Sequence, residues 1–527
     1  MLIVSSSAIC WVPRILFWIS FAFRLWYALF FHIYGNDSFV QQFASQNFLN
    51  GNGVSLSTVT TLDPDTLYMQ AMTKWPPLLV ILQAFFLYLL KDWILVSIFL
   101  TSVSVLSFFL LVRSTLRLLQ VRSSLQALTW LLLISNHLLF DEFGVSDWLG
   151  LTSVAAAFFF CLYLLFHNSN LIVHAVLAVI LFSLPAMFRY QYYSIVMLFP
   201  VWLVYVAFRF KSDLKRIALF VFFLTSMVFI FIVFGSALYG TNTQVMPAQT
   251  TGFYPNNLFH FDPFLLKTVV RLDYITFKYP LWIQEVTLIT RVLNLILFIL
   301  FIFIIVRAIL RKNDFYFDNY IRSVFLLVLF FIGAMLLFLS IMSMVYAPTA
   351  PPLPFFTYVQ EARYFAAIKY LSLLLIIVIF DRMRVHYSMG IIMMVFLCFN
   401  LLLFCKFLYN TSKFSAPIYQ LDWAIQDRKE ARNAIEKFIQ KNDYPLIISW
   451  YPMEYLVMGH YSKETYILSN HRLIFSGVQN SVKPYNLLFC IQTDLLSSSQ
   501  KQFLDNNYFV EIFNNSHYQI FIKEVSR

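Results

Sequence analysis

Where the chain leaves its first long apolar block it reads Tyr34-Gly35-Asn36-Asp37-Ser38, and the aspartate at position 37 is placed for proton chemistry. A carboxylate at the mouth of a membrane cavity is partly desolvated, and a nearby cation can tune it as a general base. The structural alternative is an N-cap after the Gly35 turn, a role aspartate fills well. The segment continues through Gln41, Gln46 and Gly51-Asn52-Gly53 to Lys74-Trp75-Pro76-Pro77. Further on, His260, Asp262, Lys267 and Arg271 fall near one another, but one histidine and one aspartate are too few ligands for a metal. The five cysteines, Cys10, Cys161, Cys398, Cys405 and Cys490, have no metal-ligand spacing and support no disulfide framework.

The elements that must position these residues are membrane helices. The chain is 60% hydrophobic and 12% charged, with a mean hydropathy of +0.73, which excludes a water-soluble domain of this length. Leu, Ile, Phe and Val recur in blocks of roughly 17 to 25 residues, enough to cross about 30 Å of hydrocarbon. In lipid only helices and closed barrels satisfy their own backbone, so the blocks are read as helices. They fall at 15–34, 94–112, 125–140, 148–166, 171–187, 194–208, 217–239, 282–306, 324–346, 364–380 and 389–408, about eleven in all. The first block lacks a small-residue cleavage site after a short apolar core and reads as a retained anchor.

A net charge of +11 could indicate nucleic acid, but the basic residues lie in short runs between apolar blocks, where they set topology. Residues 76–90 are apolar yet only about 13 to 15 long, the length of a helix lying at the membrane surface. With that assignment Arg113, Arg117 and Arg122 share a side with Arg209, Lys211, Lys215 and Arg216. Arg307, Arg311 and Lys312, then Arg382 and Arg384, join them. The expected N-terminus is cytoplasmic and the C-terminus extracytoplasmic, in a multi-pass protein of the cytoplasmic (inner) membrane. Long outer segments at 35–93, 240–281 and 347–363 carry function more often than simple turns do. The expected division is a membrane bundle over 1–409 and an extracytoplasmic α/β domain over 410–527. In that domain 422–440 reads as helix, and 446–450, 465–468, 487–492 and 518–522 as strands. No internal repeat is visible.

The order of these features resembles the integral membrane glycosyltransferases of the GT-C superfamily. An Asp follows the first membrane helix, a polar helix ends in Asn-Gly, and Lys-x-Pro-Pro-Leu opens an apolar surface helix. The superfamily includes protein O-mannosyltransferases, the lipid A aminoarabinose transferase and the catalytic subunit of oligosaccharyltransferase. The resemblance runs from about residue 15 to 408. It implies an all-α polytopic membrane bundle and a sugar donor carried on a polyprenyl phosphate or diphosphate. It also implies Asp37 as base or acceptor-positioning group, although its neighbours Asn36 and Ser38 are not the second acid many relatives have.

A second acid is expected where the third helix gives way to the fourth. Asp141-Glu142-Phe143-Gly144-Val145-Ser146-Asp147 fills that place, with Asp147 the best match because it opens the next helix. Its structural alternative is again an N-cap, and Asp141 and Glu142 are read as cavity candidates or solvated loop charges. Phosphate needs cations, and guanidinium offers a planar, bidentate fork. Arg189, followed by Tyr190, and Arg363, followed by Tyr364, are the donor-site candidates, with Lys74 a lesser one. The alternative for each is an interface anchor with its long stem snorkelling. No organic cofactor is implied, and a divalent metal ion stays open.

The expected partners are a polyprenyl-phosphate-linked sugar, a lipid, glycan or protein acceptor, and membrane lipids, with no nucleic acid. The expected activity is transfer of the sugar to an acceptor hydroxyl. Rival readings are a lipid-linked oligosaccharide flippase, or an anchor that displays the C-terminal domain. A transporter would place its ionisable groups in mid-bilayer and show repeats.

Overall fold

The computed structural model describes residues 6–31, 36–59, 67–71, 76–135, 145–167, 172–239, 299, 303, 319–345 and 366–382. In the C-terminal region it describes 421–442, 445–449, 486–492, 496, 498–516 and 518–524. The chain divides into two compact units. The first takes in residues 1–29, 100–234 and 249–415, the second 30–99, 235–248 and 416–527.

The helices of the first unit are α1 (Ser6–Phe31), α4 (Trp93–Leu118), α5 (Ser123–Ser135), α6 (Val145–Phe166), α7 (Ile172–Phe188), α8 (Tyr193–Arg209), α9 (Lys215–Tyr239), α10 (Asn319–Val345) and α11 (Ala366–Arg382); α1, α4 and α9 extend past the unit's limits at one end. Six segments among the described residues are long and apolar enough to cross a bilayer: Trp11–Leu29, Leu95–Leu118, Val145–Phe166, Tyr190–Arg209, Lys215–Ile232 and Ile321–Ile341. The expectation of about eleven is not confirmed by these six, which are counted among the described residues alone. The windows at 282–306 and 389–408 lie outside the described residues, save for 299 and 303. Those at 125–140, 171–187 and 364–380 form helices of 13, 17 and 17 residues.

Packing of the first unit rests on one apolar core with a few polar ties. Phe17 of α1 meets the Trp130 ring edge-on at 5.1 Å, and Phe109 of α4 stacks on Trp130 at 6.0 Å. Ser20 donates to the Trp130 carbonyl at 2.9 Å and Arg24 Nε to that of Leu133 at 2.6 Å, so α1 and α5 run parallel. Thr152 of α6 donates to Ser104 O of α4, and Trp202 Nε1 of α8 to Ser323 O of α10. The turn after α4 meets the end of α11, where Arg122 Nε donates to Asp381 Oδ1 at 2.9 Å and Arg382 to Leu119 O at 2.8 Å. At the C-terminal end of α6, Lys211 Nζ donates to the carbonyls of Leu165 and His167 at 3.1 and 2.6 Å. A cation there complements the helix dipole. Burial lowers the Lys211 pKa, with Asp213 opposing the shift.

The second unit holds α2 (Asn36–Leu49), an antiparallel hairpin of β1 (Ser55–Val59) and β2 (Leu67–Ala71), and α3 (Leu78–Leu90). The hairpin was not foreseen in a segment read as loop. α3 has the expected short length; it buries Leu79, Val80, Gln83, Ala84 and Leu87 and exposes Ile81, Phe85, Tyr88 and Leu89. It ends where Lys91 turns left-handed at φ 57°.

In the C-terminal region β3 (Pro445–Ser449), β4 (Asn486–Gln492), β5 (Val510–Asn514) and β6 (Tyr518–Glu524) form one sheet in the order β3-β4-β6-β5. The β3–β4 pair is parallel and the others antiparallel. The helix Leu421–Lys441 packs Ala431, Ile435 and Phe438 against Leu488, Cys490, Tyr518 and Ile520. Phe489, Phe503 and Phe509 cluster together. The strand expected at 465–468 lies outside the described residues. β5 and the helix Ser498–Asn506 were not expected.

Candidate functional site

The site starts from the first turn of α6, which carries Asp147. A carboxylate there complements the positive end of the helix dipole. The partner comes from the break between α7 and α8. Pro185 sits in the last turn of α7, and its carbonyl accepts the Arg189 N–H at 2.9 Å. Arg189 then turns extended (φ −148°, ψ 121°) before a 3-10 turn over Tyr190–Tyr192 leads into α8. This single extended residue carries its guanidinium to Asp147, with which it forms an ion pair. Both are buried, Asp147 3% and Arg189 4% exposed.

The close approach is made possible by Gly150, one turn along α6 from Asp147. A Cβ at that position would lie 3.0 Å from the Tyr192 ring and 3.1 Å from Arg189 Cγ. The absence of a side chain on Gly150 therefore lets the arginine stem and a buried tyrosine lie against the α6 backbone. Beside the pair, Trp148 meets Phe108 of α4 edge-on, and Phe108 meets Tyr370 of α11 at 5.2 Å. The start of α6, the α7–α8 break and the first turns of α11 are thus tied together through α4.

Of the residues chosen from sequence, Asp147 and Arg189 are brought into one pair. Arg189 is held inside the protein by a carboxylate. Tyr190 is half-buried next to it. Asp37 is the second residue of α2, so its backbone is helical and it sits in the first turn. Lys74, Asp141, Glu142, Arg363 and Tyr364 lie outside the described residues.

Two buried cations were missed. Arg24 is wholly buried in α1, where it donates to the last carbonyls of α5, and Lys369 in the first turn of α11 is 3% exposed. Each lies inside an apolar window of the sequence. Among the described residues no three His, Cys, Asp or Glu side chains gather as a metal site.

No protein-family model and no curated protein matches this chain. Solved structures do. The archaeal oligosaccharyltransferase AglB from Archaeoglobus fulgidus, in complex with an inhibitory peptide and a dolichol-phosphate, is 12% identical at a TM-score of 0.46, over 95% of this chain and 72% of that one. The Archaeoglobus fulgidus oligosaccharyltransferase tethered by a disulfide to an acceptor peptide containing the NVT sequon is 13% identical at 0.47, over 92% and 69%.

Proposed function

We propose that the chain is a GT-C-type glycosyltransferase that takes a sugar from a polyprenyl-phosphate carrier and transfers it to an acceptor hydroxyl at the outer face of the cytoplasmic membrane. The observation that carries this reading is the buried Asp147–Arg189 pair at a helix start in a membrane bundle. Burying two charges costs several kcal/mol per ion before their attraction is counted, so stability alone does not favour such a pair. Ionisable groups inside membrane segments are, by default, functional.

In the proposed reaction the acceptor oxygen attacks the anomeric carbon as the bond from that carbon to the carrier phosphate breaks. Asp37 takes the acceptor proton, and the phosphate leaves with the bonding electron pair. Arg363 and Arg189 offset its charge, with Lys74 a lesser contributor. Asp147 orients Arg189 through their ion pair. One direct displacement inverts the anomeric centre.

The test is Asp37→Asn, assayed with the purified full chain and a polyprenyl-phosphate sugar. Loss of a general base lowers the rate on the order of 100-fold or more. Asparagine keeps the shape of the side chain in the first turn of α2 and gives up only the helix-dipole contribution of about 0.3–1 kcal/mol, so thermal stability changes little. Near-wild-type turnover by this variant would remove Asp37 as base, and absence of transfer by the wild-type chain would move the preference to a flippase.

A further inference from the structure

We infer that the α2–α3 pair carries a subsite for a neutral, hydroxyl-rich group, the ring of a carbohydrate acceptor, contacted by Gln41 and Gln83. The transferase reading enters only in naming which reactant occupies the subsite.

The region is polar where an apolar helix packs. Gln41, Gln42, Ser45, Asn47, Gln83 and Ser97 are all buried, and none is charged. Several are satisfied within the protein. Gln42 Nε2 donates to Ser97 Oγ at 3.0 Å and Asn47 Nδ2 to Ser55 O at 2.9 Å. The Ser45 hydroxyl lies 2.7 Å from the Gln41 carbonyl and 3.2 Å from Gln83 Oε1.

Three atoms remain: Gln41 Oε1, Gln41 Nε2 and Gln83 Nε2 have no hydrogen-bond partner. Gln41 is 1% and Gln83 0% exposed. A buried polar atom without a partner opposes folding, and apolar residues of the same shape would remove that cost. Two carboxamides kept in this condition, on helices linked by the Ser45 hydroxyl between the Gln41 backbone carbonyl and Gln83 Oε1, are explained by a ligand that completes them.

The atoms define the ligand. They comprise one acceptor and two donor nitrogens in an uncharged setting, which disfavours phosphate and carboxylate. Each sugar hydroxyl both donates and accepts, so two neighbouring hydroxyls match all three atoms. A peptide bond offers one donor and one acceptor and leaves one atom over. Gln41 also stands one helical turn after position 37 on α2, so a ring held there places a further hydroxyl within a turn of the proposed base. Entry requires the Gln41 side chain to rotate, since its polar atoms are fully covered as they stand.

The test uses the full chain in detergent, with Gln41→Met and Gln41→Leu as variants, because the Gln41 carboxamide makes no internal hydrogen bond to lose. Thermal unfolding is followed against methyl glucoside, methyl mannoside and methyl galactoside, and against a threonine-containing pentapeptide. Sugars stabilise all proteins to some degree by exclusion, so the difference between wild type and variants is the reading. Without ligand the variants unfold at or above the wild-type temperature. With glycoside, the apparent affinity of each variant falls about tenfold, the loss expected for one hydrogen bond.

Equal glycoside response in wild type and variants overturns the subsite, as does a variant that unfolds earlier without a change in response. A response to the peptide alone makes the subsite a peptide site and overturns the carbohydrate assignment. Glycoside binding through Gln41 without sugar transfer by the wild type leaves the subsite standing and removes the transferase reading. Transfer with unchanged acceptor KM in Gln41→Met does the reverse.

Discussion

Each end of the helical unit holds an arginine–aspartate pair with a buried carboxylate, and the two pairs differ in the surroundings of the arginine. Where the α4–α5 turn meets the end of α11, Arg122 is 56% exposed at its side chain and reaches Asp381. It also donates to the carbonyls of Phe380 and Asp381 at 3.1 Å. This is a clasp: an exposed cation satisfies the last carbonyls of a helix. Where α6 begins, Asp147 and Arg189 are 2% and 5% exposed at their side chains. The same two residue types there give up their hydration, and a pair of charges out of water is weak evidence for stability but good evidence for a role.

The comparison breaks most visibly at Asp147. Asp147→Ala leaves Arg189 buried and unpaired and is expected to cost about 3–5 kcal/mol, read by denaturant or thermal unfolding in detergent. Replacing both partners, Asp147→Leu with Arg189→Met, should recover most of that loss while transfer stays absent, because a buried pair can often be exchanged for apolar residues. A loss for Asp147→Ala no larger than that for Arg122→Ala would erase the distinction between the two ends.

A smaller effect is expected at Gly150. Gly150→Ala gains helix propensity of about 1 kcal/mol but drives a methyl into the Tyr192 ring and the Arg189 stem, an overpacking cost of about 1–3 kcal/mol. The net is a modest loss of stability with a lower transfer rate, since the displaced atoms belong to the arginine itself. Unchanged rate and unfolding temperature would show that the pair tolerates movement. The smallest effect belongs to Arg122→Ala, about 0.2–1 kcal/mol with transfer unaltered. Raising the salt concentration should shrink it further, as screening acts on exposed charges and hardly on buried ones. Salt-independent destabilisation at Arg122 would move this end into the buried class.

The pairing itself shows how far the sequence reaches. Asp147 and Arg189 were each singled out from local pattern, one as an acid opening a helix, the other as an arginine between a helix end and a tyrosine run. Nothing in the pattern joined them, because α6 and α7 lie between and only their antiparallel packing brings the ends back together. Arg24 and Lys369 passed unnoticed inside apolar windows, where hydropathy averages a single charge away. The burial of Gln41 and Gln83 is not legible in the sequence, since burial is not a property of one segment.

What the sequence determined by itself is a basic, multi-pass helical membrane protein with a small C-terminal α/β region. Those follow from solvent preference and period, which act over short stretches of chain. The tertiary structure decided that Ser55–Val59 and Leu67–Ala71 pair as a hairpin. It also decided which polar side chains lose water. Helix length depends on where neighbouring chain breaks the hydrogen-bond ladder, as at Arg189. Burial of Asp147 depends on a glycine one turn away that lets another helix end come close, a contact between residues some forty positions apart in the chain.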